Sequence, residues 1–295
     1  GSEMCIRDRN YLLIFGKCGL PALGIQGAAV ATLLARITEF AVCSFCAVRS
    51  RLLPIQWRAF FRPGWEMLRR FVKYSSPVIL NETAWGLGNS MLTVILGYTD
   101  NSVEMLAANA VMGNLNRLFL VVCFGLGAAT AVIIGKSIGE GRSHQEVMDL
   151  SRTLLVFTAL VGAGLTALSL LLVPTLFVPV VFPLFKLYGE SAAIATALAV
   201  TGFLSIPLHA YSISAVTGVL RAGGDVFWST LLDVGPQWCM ALPLTALLAL
   251  VLKADYWWIA AAIQSESLLK VPLCALRIRT GQWIHDVTVR KERGQ

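Results

Sequence analysis

The chain has 295 residues, of which 56% are hydrophobic and only 14% charged, with a net charge of +7 and a mean hydropathy of +0.70. That balance excludes a water-soluble globular domain, in which about 25% of residues are charged. Several apolar runs reach the roughly 18 residues that cross a bilayer, so the composition reads as an all-α polytopic membrane protein.

Residues 1–9, GSEMCIRDR, share nothing with the rest of the chain and read as a non-native leader. Asn10 to Phe15 reads as the last turns of a helix whose beginning is missing, so the chain is expected to be a fragment of a longer protein. Seven spans come after it, near 24–48, 75–98, 106–135, 153–176, 191–218, 228–252 and 257–277. Residues 49–74 form a basic linker in which Trp57, Phe60, Phe61 and Trp65 sit among arginines. Such a segment lies along the inner membrane surface; the alternative is a solvated loop.

Basic residues alternate between connections. They collect in 49–74, at Lys136, Arg142 and Arg152, at Arg221, and in the tail 280–295, while the intervening connections hold little more than Lys17, Lys186 and Lys253. The positive-inside rule then places the basic loops and the C-terminus in the cytoplasm. The net charge is this asymmetry and requires no nucleic-acid partner. The seven cysteines fall mostly in apolar runs, where cysteine acts as a small hydrophobe. Cys43 and Cys46 have C-x-x-C spacing without a second pair, which argues against a metal site.

Polar stripes interrupt the apolar spans. Glu82, Trp85, Asn89 and Thr93 fall on one face of the second span, and Asn109, Gly113, Asn116 and Arg117 on one face of the third. Thr201, Ser205, His209 and Ser212 do the same on the fifth. Three such faces can converge on a hydrated cavity. For the Ser and Thr residues, bonds to neighbouring helices are the simpler reading. A carboxylate in hydrocarbon costs about 2.5 kcal/mol or more, so Glu82 and Arg117 point to function. Asn81 also belongs to the candidate cavity but points about 100° from Glu82, and is expected to tolerate Ala better. His209 is open between a hydrogen-bonded core histidine and a proton carrier. Arg36 and Glu39 read as a structural pair, Glu266 and Lys270 as an i, i+4 pair on the last span, and Asp233 as a capping or loop-bonding residue.

GLGAA at 125–129 allows close packing against a neighbour, and Pro77, Pro207, Pro236, Pro243 and Pro272 interrupt spans, as helices facing a cavity tolerate. The turns IIGKSIGEGR and GVLRAGGD are glycine-rich, but neither has the spacing of a phosphate loop.

The run NYLLIFG…GLPALGIQGAAVAT at 10–32, the helix with PVILNE, the IIGKSIGEG turn and GVLRAGGD together resemble, in order and spacing, the multidrug and toxin extrusion (MATE) transporters. The resemblance implies a fragment of a twelve-helix, two-lobed antiporter in the plasma (bacterial inner) membrane. Residues 10–48 would be the end of the first lobe, with the end of helix 5 and helix 6, and 75–279 the second lobe with helices 7–12. It implies no enzymatic activity, a monomer, no cofactor, and H+ or Na+ as coupling ion, exchanged for a cationic or amphiphilic small molecule. The family's seventh-helix glutamate corresponds to Glu82, a possible Na+ ligand, while its tenth-helix aspartate is absent and only His209 stands there. A carboxylate in a partly dry cavity binds a proton more readily than one in water, and Trp85 could stack on a cationic substrate. A flippase for lipid-linked oligosaccharides is the alternative, although it would be expected to show several deep arginines and only Arg117 is deep here. An intramembrane enzyme would need a catalytic cluster, and His144, His209 and His285 are scattered.

Overall fold

A computed structural model describes residues 24–49 and 64–284, all of whose regular structure is helical. The leader, Asn10–Phe15, most of the expected linker and the tail after Ile284 lie outside the described residues. The chain divides into two compact units, residues 1–69 and 70–295. In the first, α1 (Gly24–Arg49) coincides with the first expected span and carries the expected Arg36–Glu39 pair at 2.7 Å.

The remaining helices keep the expected order. They are α2 (Trp65–Gly97), α3 (Ser102–Gly139), α4 (His144–Leu172), α5 (Glu190–Leu204), α6 (Ile206–Ile213), α7 (Val226–Pro236) and α8 (Tyr256–Arg279). Wide π-helical turns prolong three of them: Val173–Val181 after α4, Ser214–Arg221 after α6, and Gln237–Ala241 and Leu247–Val251 beyond α7. Among the described residues α3, α4, α7 and α8, with their prolongations, are long and apolar enough to cross a membrane, and the bent pair α5–α6 makes a fifth. That is fewer than the seven expected spans. α2 has the length, at 33 residues, but Asn81, Glu82, Asn89 and its glycines dilute its hydropathy. It also begins at Trp65, so the last ten residues expected in the linker are already helical.

Local chemistry explains the breaks. α4 starts at a capping box: the Glu146 amide donates to Ser143 Oγ at 3.3 Å and the Ser143 amide to the Glu146 carboxylate at 3.2 Å. α5 and α6 meet at a 46° bend beside Pro207, which has no N–H to give the Phe203 carbonyl. The Thr166 hydroxyl of α4 supplies that bond instead, at 2.8 Å. Here a freed backbone acceptor is re-satisfied by a neighbouring helix.

Close approaches hold the second unit together. A Cβ at Gly162 of α4 would lie 2.8 Å from Pro207 Cα, and one at Gly127 of α3 would lie 3.0 Å from the Ile213 side chain, so the 125–129 glycine segment packs as expected. Phe203 is fully enclosed, edge-on to Phe119 at 5.2 Å and tilted against Phe177 at 5.7 Å. Outward, α4 exposes Val156, Leu160 and Leu171, as a lipid-facing helix does.

The C-terminal end of α8 is tied back to the loop between α6 and α7. Thr280–Gln282 turns with Gly281 at a φ of 69°, and Trp283, wholly buried, donates its indole N–H to the Ile278 carbonyl at 3.1 Å. A Cβ at Gly223 would run into that ring. Arg277 clasps Asp225 at 2.8 Å and stacks over Trp228 at 5.0 Å.

These spacings separate two glycines of one helix. Gly162→Ala should lower stability by about 1–3 kcal/mol through overpacking against a rigid proline backbone. Gly164→Ala, with nothing within 4 Å of the new methyl, should be neutral or slightly stabilising. Thermal unfolding of the purified protein in detergent checks both.

Candidate functional site

Helices α2, α3, α5, α6, α7 and α8 enclose a cavity of about 770 Å³. The face read on α2 lines it in full, with Glu82, Trp85, Asn89 and Thr93, and so does the face read on α3, with Asn109, Gly113, Asn116 and Arg117. Of the face read on the fifth span, only His209 and Ser212 reach the cavity. Ser205 does not. It is buried at the α5–α6 break, where its hydroxyl donates to the Gly202 carbonyl at 2.7 Å and lies 3.0 Å from Gln264 Oε1. The bend takes Ser205 off the face it would share on a straight helix. Thr201 bonds its own helix at the Ala197 carbonyl, 2.8 Å, as the simpler reading of the hydroxyls holds.

The chemistry concentrates at one end of the cavity. Asp233 of α7 is its hub. Lys270 Nζ of α8 sits 3.1 Å from Asp233 Oδ1, and Arg221 Nη2, at the end of the π turns after α6, lies 3.6 Å from Oδ2. Arg221 Nη1 in turn faces Glu82 Oε1 at 3.6 Å. Asn81 Nδ2 donates to Asp233 Oδ2 at 2.9 Å. Four helices thus converge on one chain of charges, Glu82–Arg221–Asp233–Lys270. Asp233 is therefore no loop cap. Asn81 is also not the tolerant neighbour expected, since it is 2% exposed and holds the hub.

Glu266 and Lys270 do not pair with each other along α8; each reaches a neighbouring helix. Lys270 goes to Asp233, and Glu266 Oε1 lies 3.6 Å from His209 Nε2 of α6. Helix spacing places both on one side of α8, but tertiary packing offers each a better partner.

Glu82 itself is 63% exposed at the side chain, with Arg221 as a loose neighbour, so it stands open to the cavity. Trp85 is 44% exposed on the next turn. Asn89 and Thr93 bond backbone carbonyls of their own helix at 2.9 and 3.1 Å. Asn81 Oδ1, Asn116 Oδ1, Ser212 Oγ and Gln237 Oε1 have no protein partner among the described residues. Gln237 opens the π turns after Pro236 and fits because Gly88 leaves room: a Cβ there would lie 2.6 Å from the Gln237 amide. Arg117 has no ion-pair partner among the described residues. No group of three His, Cys, Asp or Glu that could hold a metal occurs among them either.

Sequence reasoning does not assign Arg221, Asp233, Gln237, Gln264, Glu266 or Lys270 to the cavity. The available signal is that Asp233 with Gln237, and Glu266 with Lys270, repeat at four residues on otherwise apolar helices, a stripe like that on α2.

No family model matches the chain. It is 23% identical over 276 residues to the uncharacterized transporter YisQ of Bacillus subtilis, covering 93% of this chain and 58% of that protein. It is 27% identical to the probable multidrug resistance protein NorM of Bradyrhizobium diazoefficiens, over 81% of this chain and 51% of that one. The multidrug resistance protein MdtK of Pectobacterium atrosepticum gives 27% over 82% and 51%. The chain thus spans about half the length of the curated relatives it matches. Among solved structures, a MATE transporter in complex with MaL6 superposes with a TM-score of 0.77 at 18% identity, over 95% of this chain and 62% of that one. The eukaryotic MATE transporter AtDTX14 gives 0.75 at 19%, over 96% and 60%. The resemblance to the MATE family holds in both comparisons. The fold is that of part of a two-lobed, multi-pass membrane transporter, and the proteins matched are transporters, not enzymes.

The ion network predicts an asymmetry in stability. Lys270→Ala leaves Asp233 buried with one remaining cation and should cost about 3–5 kcal/mol, whereas Lys270→Met combined with Asp233→Asn should recover most of that loss. Detergent unfolding midpoints of the single and double variants check it.

Proposed function

We propose that this chain is the second lobe, with the end of the first, of a MATE-type exporter that exchanges H+ or Na+ for a cationic or amphiphilic small molecule. The observation that carries the reading is Glu82, a carboxylate on the cavity wall of apolar helices, open on its cavity side and held loosely by Arg221 at 3.6 Å and the Asn81 amide at 3.5 Å. A cation arriving in the cavity competes with Arg221 for Glu82, and Arg221 can then rest on Asp233, its second partner. Trp85, exposed one turn away, supplies a ring face for the same cation. Sodium would find its charge at Glu82, with the free oxygens of Asn81 and Gln237 on the same cavity wall. One charge crossing 100 mV is worth about 2.3 kcal/mol, roughly a fifty-fold substrate gradient. Alternating access would rock this lobe against the other, with residues 49–74 as connector. The flippase reading is less well supported. Arg221 and Lys270 add basic groups at the cavity, but each is held by a carboxylate, which leaves Arg117 alone to meet a pyrophosphate.

Two measurements test this function in the full-length transporter. Glu82→Gln keeps the shape but neither releases a proton nor supplies charge to sodium. In vesicles it should slow gradient-driven accumulation of a cationic dye by about tenfold or more, the effect of losing some 1.4 kcal/mol of charge-assisted contact. Accumulation as fast as wild type under both proton and sodium gradients makes Glu82 structural. For orientation, the basic loops place Ser143 on the cytoplasmic side and Asn101 outside, so a membrane-impermeant thiol reagent should modify a cysteine at 101 in intact cells and spare one at 143.

A further inference from the structure

A second ionisable pair faces the same cavity one turn of α8 away from the Asp233 hub. His209 Nε2 lies 3.6 Å from Glu266 Oε1, and the two side chains are 21% and 14% exposed, so the lobe encloses them far more than Glu82. The other ring nitrogen, Nδ1, is 3.1 Å from the Ser205 carbonyl, a group that can only accept. Ser267 Oγ lies 3.1 Å from Nδ1 and 3.3 Å from Nε2, where its hydroxyl can accept from a ring N–H or donate to a bare ring nitrogen. A neutral imidazole has one N–H and one bare lone pair. With its N–H at Nδ1 given to the Ser205 carbonyl, the neutral ring turns its Nε2 lone pair toward the Glu266 carboxylate, and the Ser267 hydroxyl is left to answer it. One added proton, shared between the ring and Glu266, turns these two facing acceptors into a donor and an acceptor.

We infer that His209 and Glu266 together form a proton-binding site, and that this pair carries the coupling ion in the lobe. The inference rests on the antiporter reading above and makes the ion a proton. The proton sits across Nε2···Oε1. When it leaves to cavity water, the pair passes from neutral to one negative charge, held by Glu266. A cationic substrate is then favoured in the cavity, and a returning proton opposes it; each ligand lowers the affinity of the other by the same factor.

Most surrounding charges are held by other partners, although Lys270 also attracts Glu266 along α8. Lys270, one turn on, is held by Asp233 at 3.1 Å, and Arg221 is shared between Asp233 and Glu82. Arg117 of α3 faces the cavity, while α5 carries only Glu190, at its far end. α4, packed on α6 through Gly162, has no charged residue from Thr153 to Leu172.

The test uses the full-length transporter in detergent with ethidium as probe. Wild type should bind ethidium more tightly as pH rises, by up to about tenfold per unit, the limit for one competing proton, and release protons on binding. His209→Gln and Glu266→Gln should each flatten that pH dependence and abolish proton release. Glu82→Gln should weaken binding yet keep its pH dependence. Retained pH dependence in both pair variants, or its loss only in Glu82→Gln, overturns the proposal and moves the proton to Glu82. Wild-type binding that responds to sodium and not to pH overturns the proton site while the antiporter reading stands. Ethidium accumulation in vesicles under neither gradient sinks the antiporter reading and the proton site with it.

Discussion

The unit of residues 70–295 answers throughout to the cost of placing ionised groups among apolar helices. The helices must supply every cavity charge with a partner from another helix or turn it toward water. Asp233 shows the solution most fully: Lys270 at 3.1 Å, Asn81 at 2.9 Å and Arg221 at 3.6 Å draw α8, α2 and the end of α6 onto α7. The pairing that makes the charges tolerable also fixes which faces of four helices look into the cavity. Stability and site geometry are therefore the same set of contacts.

Backbone irregularities make that convergence possible. Regular helices repeat every 3.6 residues and cannot all present their polar groups to one cavity. The break at Leu204–Ser205 leaves Ser205 buried against Gln264 while His209 comes round to Glu266. The π turns after Pro236 begin with Gln237, seated against Gly88, and those after α6 end with Arg221 between two carboxylates. Such turns concentrate where an inserted residue re-aims a side chain. The carbonyl freed by Pro207 is answered by Thr166, so the break leaves no orphaned acceptor at that position.

The helices, their order and the faces of α2 and α3 were legible in the sequence, because a polar group in an otherwise apolar period stands out whatever packs beside it. Glu82, Trp85, Asn89 and Thr93 sit as spaced. Partner choice was not legible. Glu266 and Lys270 satisfy the i, i+4 rule, yet that rule is worth only about 0.5 kcal/mol, less than a packed neighbouring helix offers each. Asp233 looked peripheral for the same reason: its depth along α7 is visible in sequence, but the three helices around it are not. Ser205 was misplaced because periodicity assumes a straight helix, and Pro207 signals a break without giving its direction.

The enclosed indole of Trp283 has a consequence for how the protein is made. Its seat is formed by Gly223 and the loop at Asp225, which emerge from the ribosome long before it does. During synthesis that loop waits, with Asp225 bare until Arg277 arrives near the end of α8 and with Gly223 uncovered until the next turn brings in Trp283. The join of helices α6 and α7 to α8, begun by Glu266 and Lys270, is thus completed only after residues beyond α8 have been made. A nascent chain stalled just after Arg279 would carry these helices with the Lys270–Asp233 and Arg277–Asp225 contacts and still lack the indole that closes the seat.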